Sequence, residues 1–293
     1  MHVGFVGLGL IGGSIARAVR AYGTSPPWTM SAWSPSGQGP EHAVADGTID
    51  HASGTPEGAL ADADLVVLAG PPTACLAALD YLAGRWHAWL APSAVITDVA
   101  STKAALLERA DAAGLRYVGG HPMAGLEASG YSAGRADLFV DRPWVIVPGR
   151  IAEPADIERV KALVETCRAR VLQLDAAAHD RAVAGISHLP LLLAAALVEA
   201  VAGPIPDMPH DDWPVASALA ASGWRDMTRL ARGDPAMGAG IAVTNAAALA
   251  ERLRDLQAML DAWRSELERS GGPDEAAISA RLRAARARLE DPS

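Results

Sequence analysis

The chain begins with a short apolar run, HVGFV, that gives way at once to GLGLIGGS at residues 7 to 14 and then to an amphipathic stretch, IARAVRAYG. Gly7, Gly9 and Gly12 stand in G-x-G-x-x-G register. A buried strand, a glycine turn and a helix in that order are what a dinucleotide fingerprint requires. The first glycine permits the bend, the second lets backbone approach a pyrophosphate, and the third lets helix pack close on strand, with the phosphate charge at the helix N-terminus. Gly7, Gly9, Leu10, Ile11 and Gly12 are therefore candidate cofactor contacts. A tight turn with no ligand is the other reading of such glycines, and its position after a first strand makes it the weaker one.

Strand and helix patterns alternate through the first half. Apolar runs at 28–34, 64–70, 94–99, 116–120 and 143–149 read as strands, and TACLAALDYLAG (73–84) and TKAALLERADAAG (102–114) read as helices between them. This is the rhythm of a doubly wound parallel sheet of the Rossmann type. From about residue 175 it stops. The remainder reads as helices: 175–203, a Pro-rich break at 203–214, a helical stretch at 216–233, and one long run from Ala236 to Ser270. The expected fold is an α/β dinucleotide-binding domain over 1–174 followed by an all-helical domain over 175–293.

The bulk properties suit an enzyme. Half of the 293 residues are hydrophobic and 20% are charged, which is globular rather than disordered. A net charge of −9, with no Lys/Arg run before the C-terminal tail, argues against nucleic acid. That tail, RLRAARARLE, reads as a solvated helix. The most apolar run, LPLLLAAALVEAVAG, is interrupted by Glu199, so a buried helix is expected there rather than a membrane span. A first strand starting at His2 or Val3 leaves no leader, and a cytoplasmic protein is expected. Cys75 and Cys167 stand in no metal-ligand spacing and read as reduced, buried small hydrophobes; no metal site is expected.

A dinucleotide domain followed by a helical one places a small-molecule substrate in a cleft at the carboxyl ends of the strands. Polar clusters that qualify are DVASTK (98–103), HPMAG (121–125), SHLP (187–190) and GWRDMTR (223–229). His121 ends an expected strand, and Pro122 biases it away from helical backbone. With an ordinary pKa near ~6.5, a histidine suits the role of accepting a hydroxyl hydrogen as hydride leaves the same carbon. A structural hydrogen bond is the other reading of a lone His at a strand end. Ser101 reads as a helix N-cap, and Asp98 and Lys103 read as structural. His188 is equally a buried His bonded to backbone near a helix start or a substrate contact. Arg225 and Arg229, at i and i+4, share a helix face, and flanking Trp224 and Met227 suggest that the turn is packed.

Together, GLGLIGGS, HPMAG-x-E-x-SG, SHLP and RDMTR resemble the prephenate and arogenate dehydrogenase family of tyrosine biosynthesis, from Gly7 to about Asn245. The resemblance implies a Rossmann domain with a helical dimerisation domain like that of the 6-phosphogluconate dehydrogenases, hence a homodimer. It implies hydride transfer from C4 of prephenate or arogenate to a nicotinamide, with loss of the ring carboxylate as CO₂ and aromatisation. It makes His121 the catalytic base, adds a hydrogen bond from Ser101 to the substrate hydroxyl, and makes Arg229 the anchor of a substrate carboxylate, with Arg225, Asp226, Glu127 and His188 also at the substrate. Many relatives carry SHLPH, whereas Leu191 stands here at the last position, and Gly238 replaces a Trp found in some; both departures bear on substrate identity.

Cofactor choice is open between NAD and NADP. NAD enzymes generally hold the ribose with a carboxylate at the end of the second strand. Here that strand ends at Ser34, followed by PSGQ; Ser34 and Ser36 could donate to a 2′-phosphate, but no arginine lies near in sequence to neutralise it. Two other classes compete. β-Hydroxyacid dehydrogenases of similar architecture use a lysine in the helical domain, and the two lysines here, Lys103 and Lys161, both precede it. A non-catalytic NAD(P) sensor would have no reason to keep Ser101, His121 and Arg229 together.

Overall fold

A computed structural model describes residues 1–290 apart from 24, 127 and 204–209. Along the chain it places β1 (His2–Val6), α1 (Leu10–Tyr22), β2 (Thr29–Trp33), α2 (Gln38–Ala45), β3 (His51–Ala52), α3 (Pro56–Leu60), β4 (Leu65–Leu68), α4 (Pro72–Ala83), β5 (Val95–Asp98) and α5 (Ala104–Ala112). The next elements are β6 (Val118–Pro122), β7 (Pro143–Pro148), α6 (Pro154–Thr166) and β8 (Arg170–Gln173). Among the described residues seven α-helices follow: α7 (Ala176–Val183), α8 (Leu189–Ala202), α9 (Trp213–Leu219), α10 (Ser222–Thr228), α11 (Pro235–Thr244), α12 (Ala246–Leu267) and α13 (Glu275–Glu290). Two compact units result, Met1–Ala246 and Ala247–Ser293.

Five parallel strands lie in the order β3-β2-β1-β4-β5, and a parallel bridge from Ile96 to Tyr117 continues the array into β6-β7-β8. The sheet is wound on both faces because alternate residues of each buried strand find apolar partners on opposite sides. Val3 and Phe5 belong to a core with Ile15 and Val19 of α1 and Val160 and Leu163 of α6. Val66 and Leu68 belong to one with Cys75, Leu79 and Leu82 of α4 and Leu106 of α5. Both cysteines are buried and free, and burial pushes the Cys75 thiol up to about 12.

The doubly wound expectation holds, with the last two strands, β7 and β8, reversed. β7 runs antiparallel to β6. The 123–142 connection carries a 3₁₀ turn at Tyr131–Ala133 and, among the described residues, no α-helix, so the chain returns without the crossover helix that a parallel neighbour requires. β3, two residues long, and β8, which is largely exposed, escape a reading based on apolar runs.

The helical half differs from expectation in three places. The stretch at 216–233 is not one helix: α9 stops at an extended Ala220, α10 ends at Thr228, and a 3₁₀ turn covers Arg229–Arg232. The long run from Ala236 breaks at Asn245, whose φ of −126° leaves the helical range. The apolar run of α8 is not buried within the described chain, where Ala194 is its one fully buried residue. By length and composition, the continuous helical stretch Ala176–Ala202 could cross a membrane, with mean hydropathy 1.7. α13 has no buried residue, as its charge pattern predicts.

Candidate active site

The glycine turn forms as its spacing requires. Gly7 sits at φ +96°, and a Cβ there would stand 2.7 Å from the carbonyl oxygen of Ala69 on the neighbouring strand-to-helix loop. A Cβ on Gly12 would meet Ala69 Cβ at 2.9 Å, which keeps α1 close on the sheet. Gly9 is different: a Cβ there would meet no protein atom within 4 Å and would instead project into open space. Gly9 is also the N-cap of α1, with no side-chain cap and no acidic residue in the first turn, so the positive end of the helix is left to a ligand. Leu10, Ile11 and Gly12 form that first turn.

A cavity of about 810 Å³ opens from this turn and is lined by Gly7, Gly9, Ser34, Ser36, Gln38 and Gly39, among others. Ser34 Oγ is buried without a hydrogen-bond partner among the described residues. Sequence proximity suggested no cation here, but the fold supplies one from the end of α4: Arg85 lines the same cavity. Its guanidinium lies 4.1 Å above the Tyr81 ring, next to Trp86, which packs edge-on against Trp33 with ring centroids 6.4 Å apart. The bare helix terminus, the space left by Gly9 and the unsatisfied hydroxyl fit a nucleotide cofactor.

At the end of β6, His121 is nearly buried, and its Nδ1 lies 2.8 Å from Nε2 of His179 on α7. His179 Nδ1 lies 2.7 Å from Asp180 Oδ1. The Asp180 carboxylate also accepts from the backbone amides of Lys103 at 2.8 Å and Ala104 at 2.9 Å. Burial alone would raise this carboxyl, but the bonds from His179, Ala104 and Lys103 outweigh burial and hold it below its ordinary value. An ionised carboxylate only accepts, so His179 carries its proton on Nδ1 and, when neutral, presents Nε2 as an acceptor to His121 Nδ1–H. His121 Nε2 is thereby left as a lone pair. Burial, reinforced by the positive charge of Lys103, keeps His121 well below an ordinary histidine pKa and therefore neutral.

Ser101 is not the N-cap of α5. Lys103 holds that position, and the cap itself is the carboxylate of Asp180, reaching across from α7. Ser101 Oγ is left buried with no partner among the described residues. His188 is buried at the end of a π-helical turn, Ala184–His188, that joins α7 to α8. Pro190 has no N–H with which to continue the α-helical ladder, so the turn widens there. The His188 ring bonds the side chain of Asn245 (Nδ1 to Nδ2, 3.1 Å) and also meets the main-chain carbonyl of Ser101, while its Nε2 is buried with no full hydrogen bond among the described residues. Burial pushes its pKa down to about 4.

Two family models cover nearly the whole chain: the nucleotide-binding domain of prephenate dehydrogenase matches residues 15–173, and the dimerization domain of prephenate dehydrogenase matches 175–277. The chain belongs to the prephenate dehydrogenase family. It is 31% identical over 267 residues to a prephenate dehydrogenase of Bacillus subtilis, covering 89% of this chain and 69% of that one. It is 30% identical over 250 residues to a cyclohexadienyl dehydrogenase of Zymomonas mobilis, covering 85% and 82%. Among solved structures, Synechocystis arogenate dehydrogenase superposes with a TM-score of 0.77 at 33% identity, covering 99% of this chain and all of that one. Prephenate dehydrogenase from A. aeolicus, in complex with hydroxyphenyl propionate and NAD+, superposes with a TM-score of 0.84 at 25% identity, covering 99% and 98%. This member of the prephenate dehydrogenase family is thus an oxidoreductase with a nucleotide-binding Rossmann domain, and its cofactor is NAD(P).

Asp98 and Lys103, read as structural, form a buried ion pair to which Tyr117 OH and the amides of Ala100 and Gly120 also donate through Asp98. Arg225 and Asp226 are exposed on α10, and Arg229 opens the following 3₁₀ turn, likewise exposed. The expected close packing of this segment is only partly found: Met227 is 56% exposed, while Trp224 packs against Trp213 with ring centroids 5.7 Å apart and planes tilted by 50°. Glu127 lies outside the described residues. Leu191 and Gly238, the two departures from common family residues, are neighbours, since a Cβ on Gly238 would lie 3.5 Å from Leu191 Cδ2. His179, Asp180 and Asn245 escaped the sequence reading. The adjacent His-Asp pair in DAAAHDRAV was its one visible trace, but on a helix such a pair reads as ordinary surface polarity.

Proposed function

We propose that this chain catalyses the oxidative decarboxylation of prephenate to 4-hydroxyphenylpyruvate, with hydride passing to NAD(P). The observation that carries the oxidation is the chain Asp180–His179–His121, which leaves a neutral imidazole with a free Nε2 lone pair in a site that also holds two unsatisfied polar atoms, Ser101 Oγ and His188 Nε2. The bound nicotinamide supplies the hydride acceptor. His121 Nε2 takes the hydrogen of the substrate's C4 hydroxyl as hydride leaves that carbon, and returns it as CO₂ is lost and the ring becomes a phenol. Asp180 and His179 hold the imidazole in the accepting tautomer, and Ser101 and His188 bind substrate oxygens. Arg229 anchors a substrate carboxylate, with Arg225, Asp226 and Glu127 around it. The Bacillus subtilis relative, a prephenate dehydrogenase, supports prephenate as the substrate, and arogenate is the alternative that the Synechocystis structure supports.

Both cofactors serve, and NADP is accepted. No carboxylate ends β2 to repel a 2′-phosphate, Ser34 and Ser36 offer donors, and Arg85 brings a positive charge to the same cavity. We also propose the domain division at residue 174/175 and a homodimer formed through the helical half, where Ile186 (73%), Leu219 (77%) and Val243 (71%) are exposed and α8 is apolar. One preparation tests these readings. It should sediment as a dimer of the 30.3 kDa chain and, when prephenate or arogenate is combined with NAD or NADP, reduce either cofactor with prephenate. Reduction with arogenate alone would overturn the substrate, reduction of NAD alone would overturn the cofactor reading, and reduction in no combination would overturn the enzyme.

A further inference from the structure

Asn245 interrupts the α11–α12 run, and its amide is held at two points. Nδ2 lies 2.9 Å from the main-chain carbonyl oxygen of Asp180 and 3.1 Å from His188 Nδ1. A carbonyl oxygen can only accept, so the end of the amide that faces Asp180 must be its nitrogen; the flipped amide would set oxygen against oxygen. One proton of that NH₂ goes to Asp180 O, and the other points at His188 Nδ1. A ring nitrogen that accepts carries no proton, so the neutral His188 ring is protonated on Nε2. The main-chain carbonyl of Ser101 lies at the same ring and favours a protonated nitrogen there, yet Nε2 makes no full hydrogen bond among the described residues, a loss that a folded protein tolerates where a ligand completes the bond.

We propose that Asn245 is a positioning residue that fixes His188 as a hydrogen-bond donor, through Nε2–H, to an acceptor oxygen of the bound substrate. Both imidazoles of the site are then set by one residue through two different atoms. The side-chain carboxylate of Asp180 orders His179 and so leaves His121 Nε2 as an acceptor, while the main-chain carbonyl of Asp180 orients Asn245 and so makes His188 Nε2 a donor. The site thus pairs one accepting and one donating imidazole with no charge on either, which matches a substrate that offers a hydroxyl to the first and oxygen lone pairs to the second. The assignment to substrate rests on the function proposed above; the tautomer does not.

Nitrogen-15 NMR of protein labelled at histidine, without substrate or cofactor, reads the two separately. His188, assigned by its loss in His188→Gln, should show a protonated Nε2 and an unprotonated Nδ1 from pH 6 to 8. In Asn245→Leu it should change to a mixture of tautomers, kcat/KM should fall about tenfold, and cofactor Kd should hold. A wild-type His188 protonated on Nδ1, or charged at pH 6, would overturn the proposal whether or not the variant folds. An Nε2–H tautomer with unchanged kcat/KM in a folded Asn245→Leu would overturn the donor role toward substrate and leave the oxidation itself standing.

Discussion

The cofactor cradle and the histidine cluster are built by opposite means. The pyrophosphate end of the cradle is made of absences along one short stretch of chain: a helix start with no side-chain cap, and a Gly9 whose missing Cβ would otherwise occupy the space. The cluster is made of side chains carried by β6, the segment before α5, α7, the π turn and the break after α11, joined by hydrogen bonds that span up to 77 positions in sequence. A backbone-built site needs only local conformation to exist. A side-chain-built site exists only once the chain has closed on itself, and its protonation states are properties of the closed form. The two should therefore fail separately.

The largest separation is expected at His121. His121→Asn removes the proton acceptor while leaving the cradle untouched, so kcat should fall by ~10²–10⁴-fold with cofactor Kd, measured by quenching of protein fluorescence, nearly constant. A parallel loss of cofactor affinity would mean that the two sites are not independent; an unchanged kcat would remove His121 from the chemistry.

A smaller effect is expected at Arg229, far from the cradle in sequence. Loss of a charge-assisted bond to a carboxylate in Arg229→Ala should raise substrate KM about tenfold to a hundredfold at constant cofactor Kd, with Arg229→Lys restoring part of it. A lowered melting midpoint with unchanged KM would show instead that the residue serves packing.

The smallest effect tests the cradle alone. Ser34→Asp places a carboxylate where β2 ends, and the NAD/NADP preference measured as a ratio of Kd values should move toward NAD by about tenfold, while kcat with NAD stays near that of the parent. If the ratio does not move, the 2′-position of the cofactor lies elsewhere in the cavity, and Arg85 rather than Ser34 becomes the residue to vary.

What could be read from the chain by itself follows the same division. The glycine register, the alternation of apolar runs with amphipathic helices and the change to helices after residue 175 are short-range patterns, and they were enough for the Rossmann half, the helical half and the position of His121 at a strand end. The short β3, the exposed β8 and the reversal of β7 were not legible, because edge strands carry little apolar periodicity and strand direction depends on the absence of a crossover helix. In the site, the sequence alone determined that a histidine lies at the end of β6 and a serine follows β5. Tertiary structure decided that Asp180 caps α5 in place of Ser101, that Arg85 shares a cavity with Ser34, and that Asn245 reaches His188. The physical reason is that burial and directed hydrogen bonds assign a proton to one nitrogen or the other, and neither exists until distant segments are brought within about 3 Å of each other.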